Sequence, residues 1–190
     1  MSLPSVSIVV PAYNAAAHIR ACVACISAQA QEDLEIIVAD DGSTDATAAI
    51  LAGLAAQEPR LRVVTHADGG NHGVAATRNR AMALAQGEYL WFVDADDRLR
   101  PGAIATLLAA ARAGNADVVA FNAVETGAGM PDNRIYRQEK PARQVNGEAW
   151  LALCCRQKES RHYVWQRFYR RAYLQALGLQ FREGIVHEDV

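Results

Sequence analysis

Residues 34–46 read LEIIVADDGSTDA, and the order of residue types within them decides the fold. The apolar run Leu34–Ala39 is interrupted only by Glu35, too short for a helix and too continuous for a strand with one face in water. Its Ile and Val content suits a strand covered on both faces. The run breaks at Asp40-Asp41-Gly42. Ser43-Thr44-Asp45 then offers caps for an Ala-rich stretch of helical length, Asp45–Ala56. A buried strand that turns directly into a helix is half of a β-α-β unit.

The same grammar repeats on either side. Strands are expected at Ser5–Val10, Leu34–Ala39, Leu61–Thr65, Glu88–Val93 and Ala116–Asn122, with helices near Ala17–Ala28, Asp45–Ala56, Val74–Ala85 and Gly102–Ala113. Pro101 suits a first helical turn, and Gly87 and Gly114 fall where helix stops are wanted. The alternation predicts an α/β domain, Rossmann-like, with a mostly parallel sheet and helices on both faces. After Thr126 the rhythm changes. "GAGMPDN" is a turn-rich break, Arg134–Gln144 is polar and partly extended, and two helices are expected near Gly147–Arg156 and Val164–Leu177. No repeat or low-complexity linker divides the chain, so residues 1–125 and 126–190 read as two lobes of one domain.

At 190 residues the chain can bury a full core. A formal net charge of −2 gives no general field for attracting nucleic acid. No apolar run approaches the ~20 residues that cross a bilayer, and no secretory signal precedes the first strand. A cytoplasmic location, peripheral at the inner face of a membrane at most, is the expectation. Of the four cysteines, Cys22 and Cys25 fall inside a helix rather than at its start, and adjacent Cys154 and Cys155 do not suit a tetrahedral zinc site. They read as structural thiols.

In an open parallel sheet, ligands bind beyond the carboxyl ends of the strands. There the chain places "PAYN" (Pro11–Asn14), "DDGSTD" (Asp40–Asp45) and "DADD" (Asp94–Asp97), all on one rim. Neighbouring carboxylates repel by roughly 4 kcal/mol per pair at about 4 Å in a dielectric of about 20, so water, a base or a metal must answer the charge. In extended backbone Asp94 and Asp96 would point the same way. Such a pair suits a hard divalent cation, Mg²⁺ or Mn²⁺, completed by water and phosphate oxygens. Plainer roles exist: Asp45 and Asp97 as helix caps, Tyr13 as rim packing. No Gly-x-Gly-x-x-Gly occurs, and neither lysine follows a glycine as a P-loop requires.

Taken in order, "VSIVVPAYN", "EIIVADDGSTDAT", "NHGVAATRNRAMALAQGEYLWFVDADD", "VWQRFYRRAYL" and the terminal "HED" resemble the family 2 glycosyltransferases of the GT-A fold, over nearly the whole chain. The resemblance implies transfer of a sugar from a nucleotide diphosphate donor, UDP-linked by preference, to a glycan or glycolipid hydroxyl with inversion. Pro11, Ala12, Tyr13 and Asn14 would pack beside uracil and ribose. Asp41 would bond the base with Asp40 in support, and Asn71, Gly73 and Arg78 would form the loop and helix start after the third strand. In the Asp-x-Asp match, Asp96 would ligate the metal. Asp94 would reach the ribose or a metal-bound water, with Ala95 between them.

Asp189 would be the base that takes the acceptor's proton, with Glu188 as fallback. His187 and Trp165 are secondary candidates, the latter for stacking on acceptor sugar. Family members ordinarily continue past this acidic pair, so the second lobe is expected to be truncated at Val190. Two rivals remain at this stage: a sugar-phosphate nucleotidyltransferase and a non-catalytic nucleotide-sugar binding module.

Overall fold

The computed structural model describes residues 3–30, 33–127, 130–135, 143–157 and 163–185. Four β-α units come first: β1 Val6–Ala12, α1 Ile19–Ser27, β2 Leu34–Asp40, α2 Thr47–Ala55, β3 Leu61–Thr65, α3 Val74–Leu84, β4 Tyr89–Phe92 and α4 Ala103–Ala113. Strand β5 (Val118–Ala120) follows. A hairpin of β6 (Val124–Gly127) and β7 (Met130–Arg134) spans the turn-rich break. Helix α5 (Gly147–Gln157), a 3₁₀ turn (Val164–Gln166), β8 (Arg167–Arg170) and α6 (Arg171–Ala176) complete the described chain.

The main sheet has the order β3-β2-β1-β4-β8-β5. Strands β1 to β4 are mutually parallel, as the alternating pattern predicts, and β8 runs antiparallel to both of its neighbours. Side-chain alternation along β1 divides the core. Val6, Ile8 and Val10 face Ile19, Val23 and Ile26 of α1 and Ile104 and Leu108 of α4. Val9, with Ile37, Leu90 and Phe92, faces Ala81 of α3. Fully burying each of these larger aliphatic or aromatic side chains is worth about 1.5–3 kcal/mol, which is why both faces must be covered.

The expected helix Val164–Leu177 is corrected. Its first half is the 3₁₀ turn and β8, and only Arg171–Ala176 is helical. The reason is tertiary. Phe168 is wholly buried, stacked on Tyr89 at 5.0 Å and edge-on to Trp91 at 6.3 Å. Tyr169 meets Phe92 edge-on at 6.1 Å on the opposite face. Adjacent aromatics that each find a ring partner, one on either face of the sheet, outweigh a weak local helix preference.

Where the sheet begins, the chain is tightly seated. Gly87 donates its N–H to Ser7 Oγ at 2.8 Å, and Ser7 Oγ bonds Glu35. A Cβ on Gly87 would stand 2.5 Å from Ser7 N, so only glycine fits there. A second lock joins α1 to the α2–β3 turn: Arg60 donates to Ser27 O at 2.8 Å and to Glu58 Oε2 at 2.8 Å. Those Arg60 bonds hold the Glu58 carboxyl down at about 2. A depressed carboxyl stabilises the fold above its unfolded value near 4.5 and loses that contribution as pH falls towards 2. Discounted for partial solvent screening, Glu58→Gln is expected to cost about 1–2 kcal/mol at pH 7 and nearly nothing at about pH 2, read by urea melts at both pH values.

Candidate active site

The loops after β1, β2 and β4 lie side by side because β1 sits between the other two, with Ala12 paired to Asp40 and Val9 paired to Phe92. Asp41 extends this ladder by donating its N–H to Ala12 O at 2.8 Å. Its side chain is almost wholly buried, with an N–H donor on each oxygen. Oδ1 accepts the His72 N–H at 2.8 Å and Oδ2 the Gly73 N–H at 2.9 Å, while His66 Nε2 stands 3.3 Å from Oδ1. Asn71 Nδ2 donates to the Asp41 carbonyl at 3.1 Å. A buried carboxylate is tolerable only with such donors around it.

Close backbone approach makes this cradle possible. Gly42, at φ +71°, lies against residues 69–71, where an added Cβ would meet Gly70 C at 2.7 Å. Gly73, at φ +86°, turns the loop into α3. Asp40, also buried, accepts the Ser43 N–H at 3.1 Å and holds the turn.

Asn14 serves the scaffold. At φ +49° its side-chain oxygen accepts from Thr44 N at 2.8 Å and Asp45 N at 3.2 Å, stitching the β1 loop to the β2 loop. Asp45 completes the stitch by accepting from Thr47 N at 2.9 Å and Ala16 N at 3.1 Å. The Thr47 hydroxyl, aided by those two amides, holds its carboxyl below the usual range. Pro11 is half-buried and Ala12 buried, and Tyr13 stands 51% exposed at the mouth of the rim.

The three acids of this segment, Asp94, Asp96 and Asp97, differ from the extended geometry expected there. Strand β4 ends at Phe92, and the Asp97 N–H donates to Asp94 O at 3.0 Å, so Asp94–Asp97 form a turn. Strand alternation therefore does not decide where Asp94 and Asp96 point. Asp94 pairs with Arg78 Nη2 at 3.0 Å, and Arg78 is buried, its guanidinium 5.5 Å from the Phe181 ring centre. Asp96 is exposed, flanking Ala95 is half-buried, and Arg98 holds the Asp96 and Asp97 carbonyls at 3.1 and 2.7 Å. Burial, then the charges of Asp94 and Asp96, push the Asp97 carboxyl up to about 6. Negative charge at this turn is thus incompletely answered. Among the described residues, no three His, Cys, Asp or Glu side chains form a ready-made metal cage. A magnesium-type site does not need one, since one or two carboxylates plus water and phosphate oxygens suffice.

Several contributors carry no motif of their own. His66, at the end of β3, bonds Thr77 Oγ1 at 3.0 Å and backs Asp41. Asn79 grips the backbone of Phe181 in both directions, at 2.9 and 2.8 Å, and Phe181 meets Phe92 edge-on at 5.1 Å. The rim rule would have found His66; nothing local marks Asn79 or Phe181. Trp165 stacks on Tyr163 at 5.1 Å, and its carbonyl accepts from Trp91 Nε1 at 2.8 Å. His187, Glu188 and Asp189 lie outside the described residues.

The chain has known counterparts in sequence and in fold. The chain is 32% identical over 196 residues to the uncharacterized glycosyltransferase YibD of Escherichia coli, covering all of this chain and 55% of YibD. The TarS 1–349 structure from S. aureus in complex with UDP-GlcNAc superposes with a TM-score of 0.78 at 24% identity, covering 97% of this chain and 51% of that one. The mannosyltransferase PcManGT from Pyrobaculum calidifontis, in complex with GDP-Man and Mn²⁺, superposes with a TM-score of 0.66 at 23% identity, covering all of this chain and 50% of that one. These structural likenesses show the fold, a GT-A type α/β domain. The chain spans about half the length of the curated relatives it matches. The sequence profile of "Glycosyl transferase family 2" matches residues 7–178, and with most of the chain inside that match, this protein belongs to glycosyl transferase family 2.

Proposed function

We propose that this chain carries the donor half of an inverting glycosyltransferase that moves a sugar from a UDP-sugar to a hydroxyl of a glycan or glycolipid. The observation that carries the reading is Asp41, a buried carboxylate fixed just beneath the rim by backbone N–H groups. A carboxylate offers about four lone-pair positions and only accepts. The His72 and Gly73 N–H groups occupy two of these and leave room for a further N–H. Uracil presents an N–H at ring position 3, where cytosine presents an acceptor, so a carboxylate there favours uracil over cytosine. Exposed Tyr13, with Pro11 and Ala12 beneath it, gives the base a face to stack on, and Asn71 and Gly73 hold the opposite wall. The UDP-GlcNAc complex of TarS supports a UDP-linked donor, while the GDP-Man complex of PcManGT, whose guanine also carries a ring N–H, supports a nucleotide sugar more generally.

The acidic turn fits a hard cation. Its surplus negative charge, visible in the raised Asp97, and the oxygen donors of Asp96 and Asp94 match Mg²⁺ or Mn²⁺. Bound there, the ion would supply Lewis-acid stabilisation of the leaving diphosphate in place of a proton. Arg78 keeps Asp94 in position and adds positive charge behind it. Asp189, with Glu188 beside it, takes the proton of the incoming hydroxyl on the far side of the sugar, as the second carboxylate does in inverting hydrolysis. Residues 1–125 supply donor binding and 126–190 the acceptor side.

A thermal-shift panel tests the donor assignment through mass action. UDP and UDP-sugars with manganese are expected to raise Tm by several degrees, as about 100-fold saturation over Kd stabilises by about 2.7 kcal/mol. CDP and ADP are expected to do less, and a flat panel would overturn the reading. Asp189→Asn is expected to keep UDP binding while transfer falls about 10²–10⁴-fold in a radiolabelled-sugar assay. Turnover comparable to the unmodified protein would remove Asp189 as the base.

A further inference from the structure

The acidic turn is gripped from below by α1, through residues that no motif assigns to the reaction. Cys22 and Cys25 share one helical stripe with Gln29, which lies just past the end of α1. Each reaches backbone in the segment that carries the acids. Cys22 Sγ donates to Asp94 O at 3.6 Å, where the turn begins. Cys25 Sγ accepts the Leu99 N–H at 3.3 Å, just past its end. Gln29 Nε2 donates to Arg100 O at 3.1 Å, and Gln29 Oε1 accepts from Ile104 N at 3.5 Å, at the start of α4. Cys22, Gln29 and Leu99 are all buried, so water does not substitute for these contacts. Burial keeps the Cys22 thiol protonated by raising it to about 12.

We infer that Cys22, Cys25 and Gln29 are positioning residues, a latch that fixes the ends of the Asp94–Leu99 segment so that its carboxylates are pre-spaced for a hard divalent cation. The physical need is specific. A cation of the magnesium type demands near-ideal oxygen geometry at about 2.1 Å, and a surface turn with exposed Asp96 has little else to hold it. Arg78 restrains the Asp94 carboxylate, and Arg98 bonds carbonyls from its own turn. The α1 stripe is the rigid element beneath. Groups that orient metal ligands from behind commonly change affinity by about 10–100-fold when removed. The inference rests on the reading of the acidic turn given above.

Three variants test it. Gln29→Met and Cys25→Val keep volume and remove the polar partner; Cys25→Ser keeps an acceptor for the Leu99 N–H. Free manganese is followed by electron paramagnetic resonance as the ion is titrated into protein saturated with UDP, and metal-free UDP affinity is measured by calorimetry. Gln29→Met and Cys25→Val are expected to raise the manganese half-saturation about tenfold with metal-free UDP affinity unchanged, and Cys25→Ser to stay within about twofold of the parent. A lowered Tm with an unchanged manganese titration would overturn the latch, as would Cys25→Ser behaving like Cys25→Val. If Cys25→Val does not fold, Gln29→Met carries the comparison. A parent protein that binds neither UDP nor manganese overturns the functional reading itself, and that outcome is seen before any variant is made.

Discussion

Asp41→Asn is expected to lose UDP binding by about 10²-fold or more, equivalent to about 2.7 kcal/mol, in calorimetry at neutral pH. The exchange is nearly isosteric, so the loss is one of hydrogen-bond sign. Two backbone N–H groups, from His72 and Gly73, point at the two carboxylate oxygens. An amide has one oxygen, and its NH₂ must then face one of those donors. The mismatch strands a buried N–H at a cost of about 1–3 kcal/mol and loosens the loop that Gly42 allows to approach. The remaining oxygen is also a weaker acceptor for a base N–H than an ionised one. Melting temperature should fall with the affinity, because cradle and binding group are the same atoms. Affinity within about threefold of the parent would remove Asp41 from the donor site.

Asp96→Asn is expected to behave in the opposite manner. Among the described residues its carboxylate makes no hydrogen bond or ion pair, and it is exposed, so the fold does not depend on it. Apart from raising the neighbouring Asp97 carboxyl, its charge faces what arrives from solution. Neutralising it should abolish the manganese-dependent gain in UDP affinity, a drop of about tenfold or more, while metal-free binding and melting temperature stay at parental values. Unchanged calorimetric affinity with manganese would overturn Asp96 as a metal ligand. Together the two variants would separate the proposed base recognition, at a buried carboxylate, from the proposed cation binding, at an exposed one.

Much of this was readable beforehand, and the reasons are local. Strands β1 to β4 are continuous apolar runs that only a doubly covered parallel sheet can bury, and each is followed by an acid-rich or turn-forming segment. The rim followed from that order without knowledge of any contact. Two readings failed where the deciding partner is distant in sequence. "RFYRR" carries two consecutive aromatics inside a stretch that also suits a helix, and it became β8 because Tyr89 and Trp91 on one face and Phe92 on the other stood ready to receive them. "DADD" was read as extended because it follows a strand, yet it closes into a turn whose ends are tied to α1, some seventy residues earlier.

By itself the amino-acid order determined the β-α alternation, the polarity of the sheet and the gathering of acids at its carboxyl edge. These depend on periodicity and turn chemistry over a few neighbouring residues, which local sequence encodes directly. Only the tertiary structure decided that β8 enters between β4 and β5, that Asp41 is held by the loop after β3, and that α1 grips the acidic turn. Each of these is a meeting of segments 30 to 100 residues apart, whose partners are chosen by shape and by unsatisfied hydrogen-bonding groups once the core has closed.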